Sequence, residues 1–380
     1  MSPIRWSEER LARAALSRVF EPGDVPSADV VRDFGAVDLY RRLRSGADLP
    51  GRFGAAAERL TTCDPEAELD RATRIGARFV IPGDAEWPTQ LDDLARTVPV
   101  NERGGVPHGL WVRGPVRLDS LRESVAIVGS RAATTYGDQL ARDIACTVAR
   151  AGRPVISGAA FGIDRSAHAG ALAGGAATVA VLACGVDRPY PRSHVDLLEH
   201  LYAHGAVVAE TPLGGAPHRV RFLARNRLIA ALARGTVVVE AAVRSGALNT
   251  TNWANRLHRV VMGVPGPVTS AASGGVHQLI RQQAADLVTN GHEVLELVGG
   301  MGEHLVEVPR GPVGVRDRLS LRHRQVLDAV PLSTGAPEPS IARVAGLPLA
   351  EVTAALGHLG AQGLVEVDDG GWRLAAAAHP

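Results

Sequence analysis

A chain of 380 residues with a formal net charge of +1 has length for two or three domains but no global charge to hold a polyanion, so any such surface must be local. Its 41 basic residues are all arginine, which excludes a Walker A loop, a Schiff-base lysine and a kinase-type lysine. Cys63, Cys146 and Cys184 stand far apart without C-x-x-C spacing, so neither a disulfide framework nor a cysteine zinc site is indicated, and no cofactor is expected.

Residues 1–78 read as a small helical, SAM-like domain. Trp6, Leu11, Ala15 and Val19 share one helical face and Val37, Tyr40 and Leu43 another, while Asp64-Pro65 forms an N-cap and N1 pair ahead of Leu69, Ala72 and Ile75. The pattern then changes to apolar strands at 78–81, 110–112, 125–128, 154–157, 178–182, 206–209, 236–239 and 260–262, with helix-length segments between them. This alternation predicts an α/β fold over 79–298, with a parallel sheet covered on both faces. Residues 299–314 read as a linker. Residues 315–376 read as a winged helix: a helix, a helix-turn-helix and a hairpin. From 315 onward six arginines face seven acids, and the presumptive recognition helix LAEVTAALGHLGAQ holds no arginine. A protein-contact or structural role is therefore expected there rather than DNA reading. No apolar signal segment opens the sequence and no run approaches eighteen apolar residues, so a soluble, cytoplasmic protein without a membrane partner is expected.

Loops that follow the strands of a parallel sheet open on one edge, where ligands bind. Four stretches meet there. In VAIVGSRAATTYG a buried strand breaks at Gly129-Ser130-Arg131 before a helix, a turn that offers backbone N–H groups and one guanidinium to a phosphate. In SGAAFGID, from Ser157, Gly158 and Gly162 let the backbone approach a ligand, and Asp164 is expected to cap the helix running to His168. The third stretch, RVRFLARNR, carries Arg219, Arg221, Arg225 and Arg227. With Arg234 the segment 213–239 holds five arginines and no acid, which suits a polyanion, and Phe222 offers a stacking platform. Leu223, Leu228 and Leu232 give the same helix a core face. The fourth stretch is EAAVRSGALN, beginning at Glu240. A dinucleotide site is set aside, since the first turn lacks G-x-G-x-x-G and Ser157-Gly158 ends the next strand where an acid is required. His200 and His204 lack a metalloprotease glutamate, and no nucleophile elbow frames Ser130 or Ser157.

VAIVGSRAATTYG, ISGAAFGIDRSAH, VLACGVDRPYPRSH, FLARNRLIAALA, VVVEAAVRSGALNT and VPGPVTSAASGGVHQLI, in this order, resemble the motifs of the DprA/Smf family of DNA-processing proteins. The resemblance implies an extended Rossmann-like fold that binds single-stranded DNA, forms a homodimer and has no catalytic activity. It also implies loading of the RecA recombinase onto incoming strands in natural transformation, with help in displacing single-strand-binding protein. Carried over by motif, the DNA site comprises Gly129, Ser130, Arg131, Ser157, Gly158, Arg225, Asn226 and Arg227, with Glu240, Ser245 and Gly246 shaping the adjoining pocket. Two departures stand out. Phe161 occupies a position usually basic in the family, where it offers stacking in place of a phosphate contact. Asn249 and Asn252 replace apolar or small residues. The competing reading is a nucleotide sensor or a nucleoside-monophosphate phosphoribohydrolase-like enzyme, in which Arg131 grips phosphate and Glu240 polarises a ribose; the PGGxGTxxE motif of those enzymes is absent.

Overall fold

The structure, a computed structural model, describes residues 6–46, 51–306 and 314–376. It divides into two compact units, Met1–Val306 and Glu307–Pro380. Residues 307–313 of the expected linker lie outside the described residues.

The first unit is built on one nine-stranded sheet: β1 (Ala77–Val80), β2 (Leu110–Arg113), β3 (Val125–Val128), β4 (Val155–Ser157), β5 (Thr178–Leu182), β6 (Ala206–Ala209), β7 (Gly235–Val238), β8 (Val260–Gly263) and β9 (Asp286–Leu287). Their order across the sheet is β1-β2-β6-β5-β4-β3-β7-β8-β9. From β6 to β9 all neighbours are parallel, as the alternation predicts. The first two strands depart from that expectation: β1 pairs antiparallel with β2, and β2 antiparallel with β6. The connections explain it. Between β1 and β2, and between β2 and β3, the chain makes only 3-10 segments, Thr89–Arg96 and Leu118–Glu123, where the parallel part uses crossover α-helices. The ninth strand, two exposed residues long, is too short to register as a periodic run.

Alternation along β3 sorts the core into two layers. Val125 and Ile127 point to the face covered by the helices Thr135–Arg150, Ile163–Gly174 and Gly291–Val298, through Ile144, Val148, Ile163 and Val294. Ala126 and Val128 point to the other face, against Leu228, Ile229 and Trp253 of the helices Arg219–Leu232 and Ala247–Arg256. The N-terminal helices join the same unit. Ala15, Leu16 and Val19 of the helix Glu8–Val19 pack on Leu39, Leu43 and Phe53, and Ala14 of that helix packs with Leu69, Phe79, Trp111 and Leu198. Asp64 caps the helix Pro65–Arg74 by accepting from Ala67 N at 3.0 Å. The Arg10–Asp84 ion pair and a bond from Arg18 Nη2 to Leu213 O at 3.0 Å tie the first helix to the sheet part, and Arg18 also pairs with Glu68 of the helix Pro65–Arg74.

In the second unit the helices Leu321–Ala329, Glu338–Ala345 and Leu349–Ala361 precede an antiparallel hairpin of β10 (Val365–Asp368) and β11 (Gly371–Leu374). Val326, Ile341, Leu356 and Leu359 form its own core. No single helix among the described residues is long and apolar enough to cross a membrane.

Candidate nucleic-acid interface

Strand order reverses at β3, which has β4 on one side and β7 on the other. The loops after β3 and β7 meet at this switch point, as expected for an open α/β sheet. With the helix Arg219–Leu232 they enclose an open cavity of about 920 Å³. Gly129, Ser130, Arg131, Arg219, Phe222, Arg225, Asn226, Ser245 and Gly246 all line it.

The Gly129-Ser130-Arg131 loop differs from the phosphate turn that its sequence suggests. Ser130 N–H donates to Glu240 O at 2.7 Å, Ala132 N–H to Ser130 Oγ at 3.2 Å and Thr134 N–H to the Glu240 carboxylate at 2.9 Å. The helix begins only at Thr135, capped by Thr134, so its N-terminus lies beyond the loop. Those three backbone donors serve the protein itself, and the exposed Arg131 lines the cavity. Gly129 is required for internal closeness: a Cβ there would stand 2.6 Å from Ile163 and 2.8 Å from Glu240 O. Glu240 is a buried brace behind the loop and no wall of the cavity. Both carboxylate oxygens are taken by Thr134 (2.9 and 2.6 Å), and Gly137 leaves room for them. This removes the carboxylate on which the phosphoribohydrolase reading depends.

The second motif is partly turned inward, although Ala160 and Asp164 line the cavity. Ser157 Oγ donates to Ile127 O at 2.6 Å inside the sheet, so this hydroxyl does not face a ligand. Gly158 accommodates a side chain of the protein itself, since a Cβ there would lie 2.2 Å from the Arg225 guanidinium. Asp164 does not cap its helix; Gly162 holds that position. Its carboxylate instead accepts from Gly158 N (3.1 Å) and Ala160 N (3.3 Å), fixing the loop that precedes the helix. Burial pushes this carboxyl up, against the opposing pull of Arg225 and the two N–H groups.

Acids from outside the arginine-rich stretch cut its charge down. Arg227 is 0 % exposed, paired with both Glu210 oxygens at 2.6 and 2.7 Å and donating to Gly105 O at 3.1 Å, so it is a core residue and no DNA contact. Arg221 makes two bonds, 2.8 and 2.7 Å, to Glu21, whose carboxyl it holds below the usual range. Arg234 pairs with Glu123. Arg225 is buried but not closed off. Its Nη1 donates to Gly158 O and Val181 O and its Nε to Asn226 Oδ1, and the residue lines the cavity wall. Asn226 ties the helix to the last loop through Gly246 O (3.3 Å) and Asn249 Oδ1 (3.2 Å). Two guanidiniums approach the Phe222 ring, with Arg131 Cζ 4.9 Å and Arg225 Cζ 5.7 Å from its centre.

A family model for DNA recombination-mediator protein A matches residues 78–299. The chain belongs to that family. It is 44 % identical over 372 residues to the putative DNA processing protein DprA of Mycobacterium tuberculosis, covering 96 % of this chain and 94 % of that one. The solved DNA processing protein A of Streptococcus pneumoniae superposes with a TM-score of 0.62 at 28 % identity, over 77 % of this chain and 98 % of the other. The Helicobacter pylori protein, solved to describe its single-stranded DNA binding mode, superposes with a TM-score of 0.50 at 24 % identity, over 57 % and 94 %.

In this member of the family, three exposed arginines without an ion-pair partner among the described residues line the cavity: Arg131, Arg219 and Arg244. Sequence reasoning missed Arg244, because the count of positive charge stopped at the end of β7. Its signal was its place in the same loop as Ser245 and Gly246. Asn249 reaches the cavity wall, whereas Asn252 is exposed elsewhere. Phe161 lies outside the cavity, beside it.

Proposed function

We propose that this protein is a non-catalytic single-stranded-DNA-binding recombination mediator that acts as a homodimer in the cytoplasm and hands the bound strand to RecA recombinase, displacing single-strand-binding protein. The carrying observation is the cavity at the sheet's switch point, lined by Phe222 and by three exposed arginines without an ion-pair partner among the described residues, Arg131 lying 4.9 Å from the Phe222 ring centre. Arginines supply the phosphate contacts and an aromatic face supplies stacking that only unstacked bases can use, so a single strand fits better than a duplex. The family description and the DNA binding of the Helicobacter pylori relative support the same reading.

Fluorescence anisotropy with a labelled oligothymidylate, measured against a duplex across a salt series, tests it. Wild-type protein is expected to prefer the single strand and to weaken linearly in log–log form with salt. Arg131→Ala should lose about 10- to 100-fold in affinity and lower the salt slope by about 0.7, with unfolding unchanged. Equal affinity and slope in that variant would sink the reading.

We read the second unit as a winged helix for protein contact. Its hairpin carries Asp368 and Asp369, and Arg373 is spent on Glu366 and Asp368. A chain ending at residue 314 is expected to keep single-strand affinity within about twofold. A loss of tenfold or more would assign DNA contacts to this unit instead.

A further inference from the structure

Arg131 and Phe222 belong to two concavities. Besides the large cavity they line a small apolar notch on its flank, completed by Phe161, Tyr190 and Pro191. Phe161 is 48 % exposed and Tyr190 42 % exposed, two large rings presented to water side by side with the arginine site. Neither ring is adrift. Phe161 meets His194 edge-on, with ring centres 5.0 Å apart at 68°, and the buried His194 is itself held by Ala159 O at 3.0 Å from Nδ1. Tyr190 lies 6.0 Å from Phe222, which in turn sits beneath Arg131. Two aromatic pairs, Phe222–Tyr190 and Phe161–His194, therefore flank the notch beside the cavity, and Arg131 lines both concavities.

No acid lines the notch, and Arg188 and Arg192 are exposed on either side of Tyr190 in the chain. Its volume, about 20 Å³, has room for about one water and none for an anchoring side chain. Ring faces at a positive rim, without a pocket, suit flat groups on a polyanion: nucleobases.

We propose that Phe161 and Tyr190 form an outer stacking ledge that receives the nucleotides leaving the arginine cavity and so lengthens the bound segment of single strand. This rests on the reading of the cavity as the strand-binding site. The ledge adds affinity without adding charge, because base–aromatic stacking releases no counterions.

The test uses the full chain and two oligothymidylates, one short enough to fill only the cavity and one about twice as long. Phe161→Ala/Tyr190→Ala is expected to bind the longer strand about tenfold more weakly with an unchanged salt slope, and the short strand as wild type does. Phe161→Trp should retain affinity and show tryptophan quenching by the longer strand only. Wild-type affinity of the double variant for both lengths, an equal loss on both, or a changed salt slope would overturn the ledge. Failure of the wild-type chain to bind either strand would instead overturn the cavity reading beneath it.

Discussion

Glu210→Ala is expected to lower the free energy of unfolding by about 3–5 kcal/mol, because it leaves a guanidinium in the core without its counter-charge. Arg227 has no exposure at all, and both of its terminal nitrogens rest on Glu210. The pair also fastens two further parts of the chain: Gly23 N donates to Glu210 Oε1 at 3.3 Å, and Arg227 Nε donates to Gly105 O. Domains of this kind are stable by about 5–15 kcal/mol, so the loss is a large share of the whole. Urea unfolding at neutral pH reads it directly. Replacing both partners, Glu210→Leu with Arg227→Met, should recover most of the stability, since two charges then leave the core together. A single variant as stable as wild type would mean that the pair is not buried in solution. Strand binding offers a contrast: where it stays folded, Arg227→Ala should keep far more affinity than Arg131→Ala.

Acid should be the second large perturbation. His108 and His168 are both buried, and burial drives each imidazole down to about 3. His108 bonds Ser27 Oγ at 3.2 Å through Nε2, and His168 bonds Thr178 Oγ1 at 2.8 Å through Nδ1. The other ring nitrogen of each has no partner, so neither ring has a second acceptor waiting for a proton. Their native values lie below the unfolded one, so the stabilisation is complete above about pH 6.5 and is lost as pH falls toward 3, at about 1.4 kcal/mol per histidine per pH unit. Between pH 7 and pH 5 the two together should cost about 4 kcal/mol. Asp164, whose carboxyl is raised, works in the opposite direction nearer the acid end. Urea midpoints at pH 7 and pH 5 check the sign. His108→Leu and His168→Leu should each flatten the dependence by about half, and a flat profile in the wild type would refute neutral buried rings.

The sheet was legible because β3 to β8 are apolar runs separated by full helices, and such runs admit few other readings. The antiparallel pairing of β1 and β2 was not, since strand direction is set by connections whose 3-10 segments leave only a faint helical period. The site was legible as a place and less so as chemistry. Burial of Arg227 depends on Glu210, an acid seventeen residues away that a local charge count does not pair with it. Ser157, Asp164 and Glu240 are polar residues beside glycines, the pattern of a ligand loop, yet their hydrogen bonds close on Ile127, on the 158–160 backbone and on Thr134. Arg131, Ser245 and Gly246 line the cavity from loops that follow strands, as their sequence context implies, and Phe222 joins them from the first turn of the helix Arg219–Leu232.

The bonding of the Gly129 loop also bears on how firmly the strand of the proposed function would be held in space. Where backbone amides clasp a phosphate, the ligand must adopt one shape, and sliding by one residue breaks every bond at once. Here the amides of Ser130, Ala132 and Thr134 are already spent, and Arg131, Arg219 and Arg244 act from the ends of long side chains. Each guanidinium can follow a phosphate through several ångströms of travel and can exchange one for the next. Under the proposed function, a strand on such a surface would be retained by charge while staying free to change its curvature and register.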